Sequence, residues 1–384
     1  MSIQVLLTAD NHLDPSAATF GVKRLERKAD FLRSFESVID YAAQNKPDIM
    51  IIAGDLYDSV VPRNPPRTVV MRHLKMVHEK GTRIILISGH HDTPRSVEQG
   101  ASPLAIYGDS GYAIYVEDSL NPRSVNLSLG GEKVQVFAMS FNPNLAIEAD
   151  PLASVKIDPK GSINLLTVHY PIEGFRGFYG NEPFIHASSI PSGCQLVAAG
   201  HLHEHQKRWF GNTLAVYPGS TERRSFLEEG EKKGFVWLDI DKSGVQSIDF
   251  IETPARKLKS IAFNIPRQGD MMQLLKDAIE SSSDPESIVR IKLKGSVSLE
   301  NLTRYKRFEL ISYGLDKFFS IEFDESEMEL QTHEALQALP RTTPLQELRR
   351  YFESLSAKLG GEEVALIQEA RTVAESTLSE AGAW

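Results

Sequence analysis

The chain has 384 residues and a single cysteine, Cys194. One cysteine excludes an internal disulfide framework and a thiolate metal site. No apolar stretch approaches the ~20 residues that a bilayer-spanning helix requires. There is no Gly-x-x-x-x-Gly-Lys-Ser/Thr loop, so any dependence on ATP must come from a partner. The chain enters a strand-like run at Ile3, which predicts no signal or transit peptide. These absences point to the cytoplasm and away from membranes. A formal net charge of −9 argues against indiscriminate nucleic-acid binding. The basic groups Lys207-Arg208, Arg223-Arg224, Lys232-Lys233 and Arg256-Lys257-Lys259 each read singly as solvated surface. The apolar share of 41% and charged share of 24% suit a soluble globular protein of two or three domains.

What is present is a pattern of strands. In the first third, apolar runs alternate with helical periodicity. Ile3 to Thr8, Ile49 to Ala53 and Ile84 to Ser88 read as buried strands. Residues 24–44, with Phe31, Leu32, Phe35, Val38, Ile39 and Ala42 on one face, and Val69 to His78 read as amphipathic helices between them. Further strand-like runs follow over 113–116, 134–139, 163–168, 196–199, 214–217, 235–239 and 245–250. The predicted fold is α/β, a β-sandwich flanked by helices and spanning residues 1–254, with 171–193 as a long loop. A small α+β domain is expected over 255–330. Within it, 259–265, 288–293 and 318–323 read as strands, and 271–282 and 299–312 as helices. Residues 331–343 read as a linker, and 344–384 as a helical tail. In that tail Leu345, Leu348, Phe352, Leu355 and Leu359 form one seam. Gly360-Gly361 breaks it, and Leu366, Ala370, Val373 and Thr377 form a second stripe. The stripes imply either docking on the chain's own domain or a partner helix or coiled coil.

Chemistry-bearing residues sit at the ends of the apolar runs. Asp10-Asn11-His12, Gly54-Asp55, Gly89-His90-His91-Asp92, His169 and Gly200-His201-Leu202-His203 each follow one. Taken singly, each has a bland counterpart: an Asx-capped turn, an α/β loop, or an interior histidine satisfied by hydrogen bonds. Together, carboxylates and imidazoles at the carboxyl ends of strands point to a dinuclear metal site. Such a site suits phosphate-ester cleavage, which needs an acidified water, relief of phosphate charge and a proton for the leaving oxygen. Asp55 is the expected bridging carboxylate. His91 is the expected proton donor, because an imidazole titrates near neutrality.

In this order the clusters resemble the calcineurin-like metallophosphoesterase superfamily. Four segments resemble its SbcD-type (Mre11-like) DNA repair nucleases: LLTADNHLD at 6–14, IIAGDLYDS at 51–59, VAAGHLHEHQ at 197–206 and AVYPGSTERRSFLEEGEKKGF at 215–235. TPLQELRRYFESL at 343–355 resembles the helical segment with which that family grips the coiled coil of its SbcC-type SMC-like ATPase. The resemblance implies that Asp10, His12, Asp55 and His203 hold one divalent ion, Mn²⁺ by preference. Asp55, His90, His169 and His201 would hold a second. His91 would protonate the leaving 3′ oxygen. It further implies a 3′→5′ exonuclease and a single-strand or hairpin endonuclease, acting in DNA repair and recombination. A homodimer is implied too, for which residues 31–43 and 67–78 are candidate contacts, and residues 255–330 would be the family's capping domain.

Position 90 departs from that pattern, which is Gly-Asn-His-Asp. His90 could ligate the second ion, turn away from it, or mark a weakened site. Two further functions stand beside the nuclease: a small-molecule or phosphoprotein phosphoesterase, which the metal core alone does not separate from it, and a DNA-binding structural subunit with a weakened centre, which position 90 motivates.

Overall fold

The protein is described here by a computed structural model covering residues 2–177, 181–266, 268–331, 343–356 and 362–380. It divides into two compact units. The first comprises Met1–Ala262, Lys276–Lys292 and Arg307–Asp324; the second comprises Phe263–Leu275, Leu293–Lys306 and Glu325–Trp384.

Two six-stranded mixed sheets dominate the first unit. One joins β1 (Ile3–Thr8), β2 (Ile49–Ala53), β3 (Arg83–Ile87) and β4 (Ile114–Val116) in parallel. Antiparallel β11 (Gly234–Asp241) and β12 (Gly244–Glu252) extend it on the β1 side. The other joins β6 (Glu132–Ala138), β7 (Ile163–His169), β8 (Leu196–Gly200) and β10 (Thr213–Tyr217) in parallel. Antiparallel β5 (Arg123–Leu129) and β9 (Gln206–Phe210) close its two edges. The fold is thus mixed α/β, with two large sheets flanked by helices.

Side chains alternate across each strand, so an unbroken apolar run buries both faces. Val5 and Leu7 of β1, Ile49 and Ile51 of β2 and Ile85 and Ile87 of β3 pack against Val134, Val136, Ile163, Leu165, Leu196 and Ala198 of the facing sheet. Leu6, Met50, Ile52, Ile84 and Leu86 point the other way. They meet Phe31, Phe35 and Val38 of α1 (Arg24–Asn45) and Val70, Leu74 and Val77 of α2 (Asn64–Glu79). The outer face of the second sheet is covered by loop residues instead, among them Phe141, Leu152, Tyr170, Phe175 and Ile185. The long 171–193 loop is therefore also a core cover. α1 stops where Lys46 turns left-handed (φ 51°) before Pro47, its N–H donating to the Ala42 carbonyl at 2.8 Å.

Two strands escaped the sequence reading. β5 and β9 are edge strands with largely solvated side chains, so neither shows an apolar run. The helix expected over 299–312 is broken: Leu299–Arg304 ends at Tyr305, whose backbone is extended, and a new helix runs Arg307–Gly314. A third sheet, of β13 (Leu258–Asn264), β14 (Asp284–Val297) and β15 (Phe318–Leu330), has that order. In the second unit the helices Pro344–Ser356 and Glu362–Glu380 pack on one another, with Arg349 paired to Glu375 at 3.1 Å. Leu345, Leu348, Phe352 and Leu355 are half-buried, whereas Leu366, Ala370, Val373 and Thr377 are exposed. Leu359, Gly360 and Gly361 lie outside the described residues, as do linker residues 332–342. Among the described residues no helix is long and apolar enough to cross a membrane.

One buried ion network anchors α1. Asp30, 1% exposed, accepts from Arg27 at 3.0 Å and from Arg256 at 2.6 and 2.8 Å, and it also pairs with Arg33. The Arg256 guanidinium in turn lies 3.7 Å from the Phe319 ring centre. Burial opposes the Asp30 charge, but the two buried arginines outweigh it and hold the carboxyl below its usual range. Removing the anion strands buried cations, so Asp30→Ala should cost about 3–5 kcal/mol in urea unfolding. A loss below about 1 kcal/mol would show that the network is solvated.

Candidate metal centre

Parallel strands present their carboxyl ends at the same edge of a sheet, and five such ends meet here. Asp10 and His12 follow β1, Asp55 follows β2, and His90 and His91 follow β3. His169 ends β7, and His201 and His203 follow β8. The β1 and β2 loops run on side by side, with Asp10 N–H donating to the Gly54 carbonyl at 3.1 Å and His12 N–H to that of Asp55 at 3.0 Å. Close approach requires glycine at three points. A Cβ on Gly54 would fall 2.4 Å from His169 Nδ1, and one on Gly89 2.3 Å from Asp55 Oδ1. One on Gly200 would fall 2.1 Å from the Ala53 carbonyl oxygen. Backbone strain gathers at the same place: Asp10 (φ 51°), His12 (φ 44°), Asp55 (φ 50°) and His201 (φ 102°) are all left-handed. Each such residue costs about 1–3 kcal/mol unless its surroundings compensate.

The side chains form three overlapping groups whose ligand atoms lie within 4.8 Å of one another: Asp10–His12–His203, His12–Asp55–His91 and Asp10–Asp55–His169. Asp10, His12, Asp55 and His169 are buried, and His91 and His203 are half-buried at the rim. Two of the imidazoles are oriented by outer acceptors. His169 Nδ1 bonds the Ala53 carbonyl at 2.8 Å, and His203 Nδ1 bonds Glu228 at 3.0 Å. His12 Nδ1 faces Asp58 Oδ1 at 3.4 Å without hydrogen-bond geometry. Their Nε2 atoms therefore point inward. Those of His12 and His203 are 3.1 Å apart, and that of His169 lies 3.3 Å from Asp55 Oδ2 without a hydrogen bond. Inward ring nitrogens facing carboxylate oxygens, with the buried His169 Nε2 left without a hydrogen bond, fit divalent metal. The all-nitrogen-and-oxygen donor set admits Mn²⁺, Fe²⁺ or Zn²⁺. Cys194 is buried under the second sheet and takes no part.

Two expected ligands stand apart from these groups. His201 Nε2 pairs with Glu182 at 3.1 Å, while its backbone N–H is held by Asp10 at 3.0 Å. His90 Nε2 is bonded by Arg95, and its ring lies 5.1 Å from Phe141. Burial lowers the His90 pKa to about 4 despite the Asp55 charge.

Three positioning residues were missed. Asp92, fully buried, accepts from Gly89 N–H at 2.6 Å and Leu56 N–H at 2.9 Å and so locks the β3 loop to the β2 loop. Burial and the neighbouring Asp55 charge raise its pKa to about 7. Its place at the end of Gly-His-His-Asp was the available signal. Asp58 accepts from Arg224 at 2.7 Å, and its carbonyl faces His91 Nδ1 at 3.1 Å. Glu228 lies 25 residues beyond His203, and nothing local marks it. Lys233, taken from sequence as solvated, is only 2% exposed because Glu228 and Glu231 pair with it at 2.7 and 2.6 Å.

The calcineurin-like phosphoesterase profile matches residues 3–205, more than half the chain, so this protein belongs to that family. It is similar to the DNA double-strand break repair protein Mre11 of Sulfolobus acidocaldarius, at 26% identity over 77% of this chain and 76% of that one. It is likewise similar to Mre11 of Methanococcus maripaludis, at 26% identity over 85% and 88%. Similarity to the SbcD component of the SbcCD nuclease of Bacillus subtilis is 25% identity over 62% and 66%.

The charge state of the cluster gives a test. Burial would lower the His169 pKa, but the adjoining Asp55 charge, with help from Asp10, raises it to about 10. Burial lowers that of His12 to about 4, so His12 is already neutral at pH 8. Below about pH 10 a metal must therefore displace one proton, from His169, and affinity should rise about tenfold per pH unit. Calorimetry of Mn²⁺ binding at pH 8 in buffers of different ionisation enthalpy should show release of about one proton. A heat independent of buffer would contradict this assignment.

Proposed function

We propose that the chain is the metal-dependent DNA nuclease subunit of an SbcCD-like double-strand-break repair complex, a 3′→5′ exonuclease and single-strand or hairpin endonuclease. One observation carries it. Similarity to an Mre11 protein extends over 352 residues, far past residue 205 where the phosphoesterase profile ends. The shared length therefore includes more than a hydrolase core.

When bound, two divalent ions, Mn²⁺ by preference, acidify a water and relieve charge on the nonbridging phosphate oxygens. Asp10, His12, Asp55 and His203 hold one position. Asp55 and His169 would serve the other, which His201 joins only by turning from Glu182 and His90 only by leaving Arg95. His91 sits where a proton donor is needed: its Nδ1 is held by the Asp58 carbonyl and its Nε2 lies 3.4 Å from Arg224, at the half-exposed rim. From there a protonated imidazole, its Nε2 turned away from Arg224, would protonate the leaving 3′ oxygen. The engagement of His90 by Arg95 also favours a second possibility, a weakened second position and a correspondingly slow enzyme.

Residues 1–254 form the nuclease domain, 255–330 the capping domain and 331–343 the linker in this proposal. Residues 344–384 bind the coiled coil of an SbcC-type ATPase, for which the exposed Leu366 and Val373 offer apolar surface. Helical residues 31–43 and 67–78 are candidate contacts for a homodimer, and the cytoplasm is the proposed compartment.

Labelled duplex and hairpin DNA should be cut with Mn²⁺ and spared in chelator. His91→Ala should bind metal normally but lose about 10²–10⁴-fold in rate. Absence of Mn²⁺-dependent DNA cleavage, with or without an ATPase partner, would overturn the proposal; near-normal cleavage by His91→Ala would overturn the role of His91.

A further inference from the structure

The two imidazoles of the Gly-His-x-His segment are held in different ways. His201 Nε2 meets Glu182, a carboxylate 30% exposed at its side chain. His203 is instead tied to a buried ion pair. Its Nδ1 meets Glu228 Oε1 at 3.0 Å, and Glu228 Oε2 accepts from Lys233 Nζ at 2.7 Å and from Arg224 N–H at 3.2 Å. Lys233 Nζ also donates to the His203 carbonyl at 3.1 Å. Ring and backbone of one residue are thus fixed by the same pair. The Lys233 side chain is wholly buried, and that of Glu228 is 9% exposed.

Burying an ion pair contributes little stability relative to apolar side chains of similar volume. The geometry gives this one a different use. An anionic acceptor at Nδ1 fixes the tautomer with its lone pair on Nε2, aims that nitrogen inward and makes it a stronger donor. The inward Nε2 is the one that stands 3.1 Å from His12 Nε2. Lys233 Nζ pairs with the Glu228 oxygen that His203 does not use. Among the described residues, no buried cation backs the acceptors of His169 or His201, which are a backbone carbonyl and a half-exposed carboxylate.

We infer that Glu228 and Lys233 are positioning residues for His203, and that they make the Asp10–His12–Asp55–His203 position the tighter of two unequal metal positions. This rests on the proposed metal centre. The segment 226–233 thereby acquires a function: the short turn Phe226–Glu228 presents Glu228, and Lys233 follows just before β11.

The test is Mn²⁺ binding to the full chain, followed by calorimetry and by electron paramagnetic resonance of the free ion, alongside thermal unfolding in chelator. Wild type should bind two ions of unequal affinity. Glu228→Leu/Lys233→Met removes acceptor and cation together, and the carboxylate it leaves without its lysine, that of Glu231, keeps access to solvent. It should bind the tighter ion about 10–100-fold more weakly, with the weaker ion unchanged. Its unfolding temperature in chelator should stay near that of wild type. Glu228→Gln, which keeps an acceptor oxygen, should fall between the two, and it decides the matter if the double variant does not fold. Wild-type affinity for both ions in these variants would overturn the inference, as would weakening of both ions together with a lowered unfolding temperature. A wild-type chain that binds no Mn²⁺ would overturn the metal centre itself and the inference with it.

Discussion

The structure turns on the burial of two carboxylates, Asp10 and Asp55, among imidazoles at the open ends of two facing sheets. Isolated anions could not be left there, since the interior penalises unpaired charge by several kcal/mol. The adjoining Asp55 carboxylate raises the His169 pKa against burial, so this imidazole would offset that charge without metal, and a divalent ion would do so more strongly. Much of the local sequence follows from this. Gly54, Gly89 and Gly200 clear the space, and four non-glycine residues accept left-handed backbone. Asp92 staples the β3 loop to the β2 loop. The strain is tolerated because the β-sandwich beneath is apolar on both faces of its central strands.

The centre is also graded from one side to the other. On the side of His12 and His203, the carboxylates facing their Nδ1 atoms, Asp58 and Glu228, are each backed by a cation, Arg224 and Lys233. Both cations come from one short segment before β11. On the side of His90 and His201, the ring nitrogens are taken by Arg95 and by half-exposed Glu182. Replacing the family's asparagine by His90 falls on that looser side. A longer side chain there has room to pair with Arg95 and lie against Phe141, and it does so. On the inference drawn above, the two proposed positions would be unequal, with the histidine at 90 adding to an asymmetry set up by the 222–233 segment.

The central strands and the side chains gathered at their ends were legible because the two signals coincide: a run buried on both faces ends, and a carboxylate or imidazole follows at once. Asp10, His12, Asp55, His91, His169 and His203 all came from that rule. β5 and β9 were not legible, since solvated edge strands carry no apolar run. The break at Tyr305 was hidden because apolar spacing continues across it. Glu228 and Lys233 could not be found locally, because what makes them matter is contact with a residue 25 or more positions away. A lysine doublet reads as surface, and only the surrounding carboxylates show that Lys233 is interior. The placement of His90 was equally out of reach, because its partner Arg95 belongs to the loop that follows, where no periodicity fixes direction.

The central claim is that the buried carboxylate–imidazole cluster is a metal centre. Anomalous diffraction at the manganese edge, from crystals grown with Mn²⁺, tests it most directly. The account expects a strong peak enclosed by Asp10, His12, Asp55 and His203, with a weaker one beside Asp55, His169 and His201. Manganese bound elsewhere, with no peak inside the cluster, would contradict it.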